Sequence, residues 1–144
     1  MSSDDEFQKM VKDLQQKIEK DEEQRYSKTV IGEYRHPINF GVIKDANAVG
    51  IIKGSCGDTM KISLKIVDDK ISDARFWTDG CGASIACGNM LIKMIKGELV
   101  ETADKITSMQ LIENLDGLPE ENLHCTVLAV HTLKQAITNY HKVK

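Results

Sequence analysis

From Met60 to Ile66 apolar and polar side chains alternate without a break. Met60, Ile62, Leu64 and Ile66 fall on one face of an extended chain, Lys61, Ser63 and Lys65 on the other. Such a segment is a strand with one buried and one wet face, and it needs strand neighbours and a covering layer. Ala48-Val49-Gly50-Ile51-Ile52 supplies a strand before it, separated by Lys53-Gly54-Ser55-Cys56-Gly57-Asp58. Ile71 to Thr78 supplies a third after the polar turn Asp68-Asp69-Lys70, ending at Asp79-Gly80-Cys81-Gly82. The short connections predict an antiparallel meander. Everything downstream reads as helix. Ala83 to Lys96 runs without proline and stops at Gly97, and Thr107 or Ser108 can cap a short helix ending near Asp116-Gly117. After the turn at Leu118-Pro119, Asn122 can cap a last helix through Leu128, Leu133, Ile137 and Tyr140. Strands first and helices afterwards predict an α+β fold: a three-stranded antiparallel sheet with helices packed on one face.

Residues 4–25 are dense in charge, with Phe7, Met10, Val11, Leu14 and Ile18 recurring at helical spacing. This predicts an N-terminal amphipathic helix whose narrow apolar stripe is docked loosely on its own domain or serves a homodimer or partner surface. The pattern weakens through Tyr26 to Pro37, His36-Pro37 closes the segment, and residues 39–47 read as loop. A length of 144 residues fits one core, so residues 1–25 are expected to be an appended helix and 26–144 the domain. Nineteen basic against 22 acidic residues give a net charge of −3, which speaks against nucleic acid and anionic membranes as partners. The longest uncharged stretches, 80–92 and 122–133, fall short of the roughly 20 residues needed to cross a bilayer. The acidic start MSSDDEFQKM is no secretory signal, so a cytoplasmic location with reduced thiols is expected.

The chemistry lies in the cysteines. Cys56 sits in a glycine-flanked loop before the second strand, Cys81 between glycines where the third strand passes into a helix, and Cys125 in the first turn of the last helix. Glycine on either side lets a metal or another protein's sulfur approach closely. A helix N-terminus lowers a thiol pKa and favours the thiolate, which is the expectation at Cys81 and Cys125. Asp58 follows Cys56 by two residues and His124 precedes Cys125. Three thiolates with one carboxylate or imidazole satisfy a tetrahedral zinc, or the four protein positions of a two-iron, two-sulfide cluster. An oxygen ligand among sulfurs binds iron less tenaciously than a fourth thiolate, the mark of a site that lets go. His124 and Cys125 lie about 100° apart on a helix, so they could alternate as ligands. Cys87, in step with Ala83, Met90, Leu91 and Met94, is read as core, with a spare sulfur-relay thiol as the sharper alternative; His36, His131 and His141 are read as surface or packing residues.

The segments YSKTVIGEYRHPIN, GSCGDTMKISLKI, DARFWTDGCGASIA and LHCTVLAVHTLKQAI resemble, in order and spacing, the IscU/NifU-type scaffold for iron–sulfur cluster assembly. The resemblance spans about Tyr26 to Tyr140. Its Cys-Gly-Asp, Gly-Cys-Gly and His-Cys elements are weak singly and specific together, the cysteines lying 25 and then 44 residues apart. It implies a scaffold rather than a turnover enzyme: a cysteine desulfurase of the IscS/NifS type delivers persulfide sulfur, iron is supplied, a transient [2Fe-2S] cluster forms and passes to recipient apo-proteins. It also implies that Cys56, Cys81 and Cys125 are cluster ligands and persulfide acceptors, that Asp58 keeps the cluster exchangeable, and that His124 is an alternative ligand. Zinc held at the same residues in the apo form would agree with it.

The chain departs from that family at Leu118-Pro119-Glu120-Glu121-Asn122, where the bacterial members carry Leu-Pro-Pro-Val-Lys. Losing the lysine and gaining two carboxylates speaks against recognition by the dedicated Hsp70-type chaperone. The interval from Cys81 to Cys125 lacks the insertion typical of the SufU branch. That branch supplies the competing expectation, a zinc-dependent sulfurtransferase partner of the desulfurase. A zinc site that only staples the fold is a third. The ferredoxin-like and C-terminal domains of full-length NifU are not present in the sequence, so a stand-alone scaffold is expected.

Overall fold

The computed structural model describes residues 3–143; residues 1 and 2 of the expected extension, and Lys144, lie outside the described residues. Two helices lead in, α1 (Ser3–Arg25) and α2 (Lys28–Arg35). A meander follows, β1 (Ala48–Lys53), β2 (Thr59–Val67) and β3 (Lys70–Thr78), paired antiparallel in the order β1-β2-β3. The chain then stays helical through α3 (Gly82–Ile95), α4 (Val100–Asp104), α5 (Ser108–Asn114), a 3-10 turn at Glu120–Asn122 and α6 (Leu123–Val143). Among the described residues no helix is long and apolar enough to cross a membrane.

The α+β architecture agrees with the sequence reading. Met60, Ile62, Leu64 and Ile66 all point into the core, where α3 and α6 cover one face of the sheet and meet Ile92, Ile95, Leu133 and Ile137. Each such fully buried Ile or Leu contributes roughly 1.5–3 kcal/mol. Two glycines set the approach of the layers. A Cβ on Gly50 would collide with the α6 backbone at Thr132 and Ala136, and one on Gly88 with the ring of Phe76. Between Lys65 and Ile66 the pairing slips, with Ser72 as the extra residue on β3, so Ile71 and Ala74 are both buried although three positions apart.

Four local expectations change. The apolar stripe of α1 is not docked: Phe7, Met10, Leu14 and Ile18 are exposed and no residue of this helix is buried. Near its C-terminal end it is tied to the domain by the Arg25–Glu121 and Glu22–Arg35 ion pairs, contacts of a kind that contribute little at a surface. The segment from Tyr26 to Pro37, where the apolar pattern weakens, contains α2, because Ser27 caps it through the Val30 N–H and buries Val30 and Ile31. Ser63, assigned to the wet face, is buried because residues 41–47 cross that face and the Ile43 N–H donates to Ser63 Oγ at 3.1 Å. The short α4 had no periodic signal at five residues.

One polar network in the core fixes the entry to the sheet. Glu33 of α2 pairs with Lys93 of α3 at 2.5 Å and accepts from Asn89, whose Oδ1 in turn accepts from the Asn39 N–H at 3.0 Å. Both buried groups are thereby satisfied, which locks α2, α3 and the loop at 39 into one arrangement.

Candidate functional site

The register Lys53↔Thr59 and Met60↔Thr78 places the β1–β2 loop and the exit of β3 at the same end of the sheet. Residues 54–58 form a tight turn in which Gly54 N–H donates to Asp58 O at 2.7 Å and Gly57 N–H to Gly54 O at 3.0 Å. Gly57 has φ +92°, a conformation that favours glycine. Cys56 is exposed at the tip of this turn. The neighbouring β3 exit is clamped by Thr78 Oγ1, which donates to Thr59 O, and by Asp79 Oδ1, which accepts from the Thr59 N–H at 2.7 Å.

Cys81 is the N-cap of α3, its carbonyl accepting from the Ile85 N–H at 3.1 Å. Its thiol is exposed and makes no capping bond, so it is free to react at the positive end of a helix. The adjacent Gly82 rests on Tyr34, whose ring would touch a Cβ there at 3.2 Å. Cys125, on the first turn of α6, is by contrast completely buried, and its Sγ lies 3.7 Å from Nε2 of the exposed His124. A tetrahedral zinc with bonds of about 2.3 Å to sulfur and about 2.0 Å to nitrogen would hold the two atoms about 3.5 Å apart. The observed spacing is within a few tenths of an ångström of that value.

Ser84, three residues into α3, ties this sulfur to Asp58. It is fully buried, and its Oγ lies 3.3 Å from Asp58 Oδ2 and 3.4 Å from Cys125 Sγ. Sequence reasoning passed over it; the usable signal was its position one helical turn after Cys81. Gly80 makes the meeting feasible, since a Cβ there would fall 2.7 Å from both Asp58 Oδ2 and Ser84 Oγ.

Electrostatics correct one expectation. Burial pushes the Cys125 thiol up to about 11; the Ser84 hydrogen bond acts in the opposite direction, and negative charge at Cys81, Cys56 and Asp58 adds to the rise. Loss of water outweighs the helix N-terminus, because Cys125 lies beneath the surface. Cys87 is buried in the core and is pushed well up, first by burial and then by Cys125 and Cys81. A cleft of about 330 Å³ beside the turn is lined by Cys56, His124 and His131, which brings His131, read as a bystander, next to two candidate ligands.

As they stand, no three His, Cys, Asp or Glu side chains among the described residues are close enough to hold one metal ion. The structure brings Asp58, Cys125 and His124 together, with Ser84 between the first two, and leaves Cys56 and Cys81 exposed at the same end of the sheet. All four cysteines are free.

A meander backed by helices, with thiols, a carboxylate and an imidazole gathered where strands give way to helices, defines a small thiol-presenting α+β domain. The chain belongs to the NifU-like N-terminal domain family, whose model matches residues 25–144. It is similar to the iron-sulfur cluster assembly scaffold protein IscU 1 of Archaeoglobus fulgidus, with 42% identity over 116 residues, 80% of this chain and 76% of that protein. The IscU scaffold protein of Rickettsia prowazekii is 39% identical over 120 residues, 80% of this chain and 91% of that protein. Among solved structures, a putative iron-sulfur cluster assembly scaffold protein for the SUF system from Fervidobacterium islandicum aligns with a TM-score of 0.62 and 27% identity, covering 78% of this chain and 96% of that chain.

Proposed function

We propose that this protein is a scaffold on which iron–sulfur clusters are assembled and from which they are passed on. The observation that carries the reading is the linkage of the buried Cys125 sulfur to His124 directly and to Asp58 through Ser84, in a chain about 40% identical to IscU scaffolds. Residues 26–144 carry the function, and residues 1–25 are an appended extension that supplies α1. Cys56, Cys81 and Cys125 are the sulfur ligands, with Asp58 or His124 in the fourth protein position of a [2Fe-2S] cluster. The exposed thiols of Cys56 and Cys81 suit the first contact with a persulfide on a cysteine desulfurase, since an attacking sulfur must be reachable. Iron and the cluster are cargo, and recipient apo-proteins are the exit. The protein turns over no substrate of its own. Zinc occupies the same ligands when iron is absent, and a cytoplasmic setting keeps the thiols reduced.

Anaerobic incubation with a cysteine desulfurase, cysteine, ferrous iron and a thiol reductant that takes persulfide sulfur down to sulfide tests this. The expected product is a brown protein with two iron and two acid-labile sulfide per cluster and charge-transfer absorption. A colourless protein that binds no iron contradicts the proposal, and one that retains zinc while accelerating the desulfurase identifies a zinc-held sulfur acceptor instead.

A further inference from the structure

We propose that Ser84 is a positioning residue of this site, whose single hydroxyl proton is shared between Asp58 and Cys125 and couples the two ligands. The inference rests on the assembly-site reading above and deepens it. Ser84 Oγ is almost equidistant from its two partners, 3.3 Å from Asp58 Oδ2 and 3.4 Å from Cys125 Sγ, and it is fully buried. Cys125 is buried with it, so on that side the hydroxyl has no solvent to replace it, whereas Asp58 is only partly buried.

A serine hydroxyl carries one proton and two lone pairs. With Cys125 as a thiol, all needs are met in one line: the S–H donates to Ser84 Oγ, and the Ser84 O–H donates to the Asp58 carboxylate. Cys125 binds a metal as thiolate, and a thiolate can only accept. The Ser84 proton then has two acceptors and serves one at a time. When it turns to the Cys125 sulfur, it orients that ligand and leaves Asp58 Oδ2 free to enter or quit the metal shell. When it turns back to Asp58, the carboxylate is held away. The hydroxyl thus links occupancy at the buried sulfur to the freedom of the exchangeable oxygen. Gly80 leaves the room this contact needs, because a Cβ there would fall 2.7 Å from both Asp58 Oδ2 and Ser84 Oγ.

Outer partners of this kind typically change metal affinity by about 10- to 100-fold when removed. The test uses cobalt(II) as a spectroscopic probe on the full chain, titrated against a chelator, in wild type, Cys125→Ser, Ser84→Ala and Ser84→Thr. Wild type is expected to show a thiolate-to-cobalt charge-transfer band that weakens in Cys125→Ser. Ser84→Ala is expected to bind roughly 10-fold or more weakly, with the band at lower energy because the sulfur has lost a hydrogen bond, while its metal-free melting temperature stays near wild type. Ser84→Thr, which keeps a hydroxyl, restores both. Wild-type affinity and an unshifted band in Ser84→Ala overturn the positioning role while leaving the site intact. An equal loss in Ser84→Thr, folded normally, also overturns it, since the hydroxyl is then not what matters. A wild type without a thiolate band overturns the assembly-site reading and this inference with it.

Discussion

Gly50 of β1 lies so close to Ala136 of α6 that a methyl group on Gly50 would fall 2.6 Å from the Ala136 amide nitrogen. Helix and strand meet backbone to backbone, and α6 is the element that carries His124 and Cys125. Gly50→Ala must push the helix outward, and the obstructing atoms cannot rotate away. The expected destabilisation is about 3 kcal/mol, the upper part of the range for an overpacked interior. Urea unfolding followed by circular dichroism measures it; an unchanged midpoint would show that α6 can shift freely.

Asp58→Ala removes the oxygen ligand proposed to make the cargo exchangeable. The cluster assembled on the variant is expected to persist longer than on wild type when challenged with an apo-ferredoxin or a chelator. The decay of its visible absorption gives the answer, and faster loss would show that Asp58 retains the cluster.

Cys87 faces the core from α3, with no exposed surface. Cys87→Ala should leave cluster assembly intact and cost on the order of 1 kcal/mol, as a small buried group is lost. Abolished assembly in a variant with a wild-type far-ultraviolet spectrum would reveal a working thiol.

The metal-free protein should lose stability in alkali. Thiols in an unfolded chain ionise near about 8.5, whereas burial holds Cys125 up to about 11 and Cys87 well above its ordinary value. Their contribution is fully present below the unfolded value and is lost as pH climbs towards the folded one. Iodoacetamide at pH 8 should therefore label the exposed Cys56 and Cys81 first, Cys125 slowly, and Cys87 only in denaturant. Peptide mass spectrometry resolves the order, and early labelling of Cys125 would contradict its burial.

Deleting residues 1–25 is expected to leave the melting temperature within a few degrees of wild type and cluster formation unaltered. No residue of α1 is buried, and its Arg25–Glu121 and Glu22–Arg35 ion pairs are solvent-exposed. Differential scanning calorimetry decides this. Global unfolding of the truncated chain would mean that the helix supports α2.

The sheet was legible because its pattern is local: alternation from Met60 to Ile66 and polar turns on either side define three strands whatever packs on them. The last helix was legible from the spacing of Leu128, Leu133 and Ile137. The position of α1 was not, since an apolar stripe specifies a buried face without saying whether anything covers it. Candidate ligands could be recognised by residue type and junction, yet the environment of Cys125 could not, because its burial depends on α3 and α6 closing over it. Ser84 was missed for the same reason. A serine near a helix start carries no mark of function until the turn at Asp58, from a different part of the chain, arrives beside it.

The candidate ligands occupy three separate junctions: the β1–β2 turn, the start of α3 and the start of α6. A chain still being made, or one with α6 undocked, therefore offers only part of the set, and closing the loops between them is an entropic cost met by the sheet and helices rather than by the metal. The complete set of candidate ligands is in this way a property of the finished tertiary structure and of no single segment.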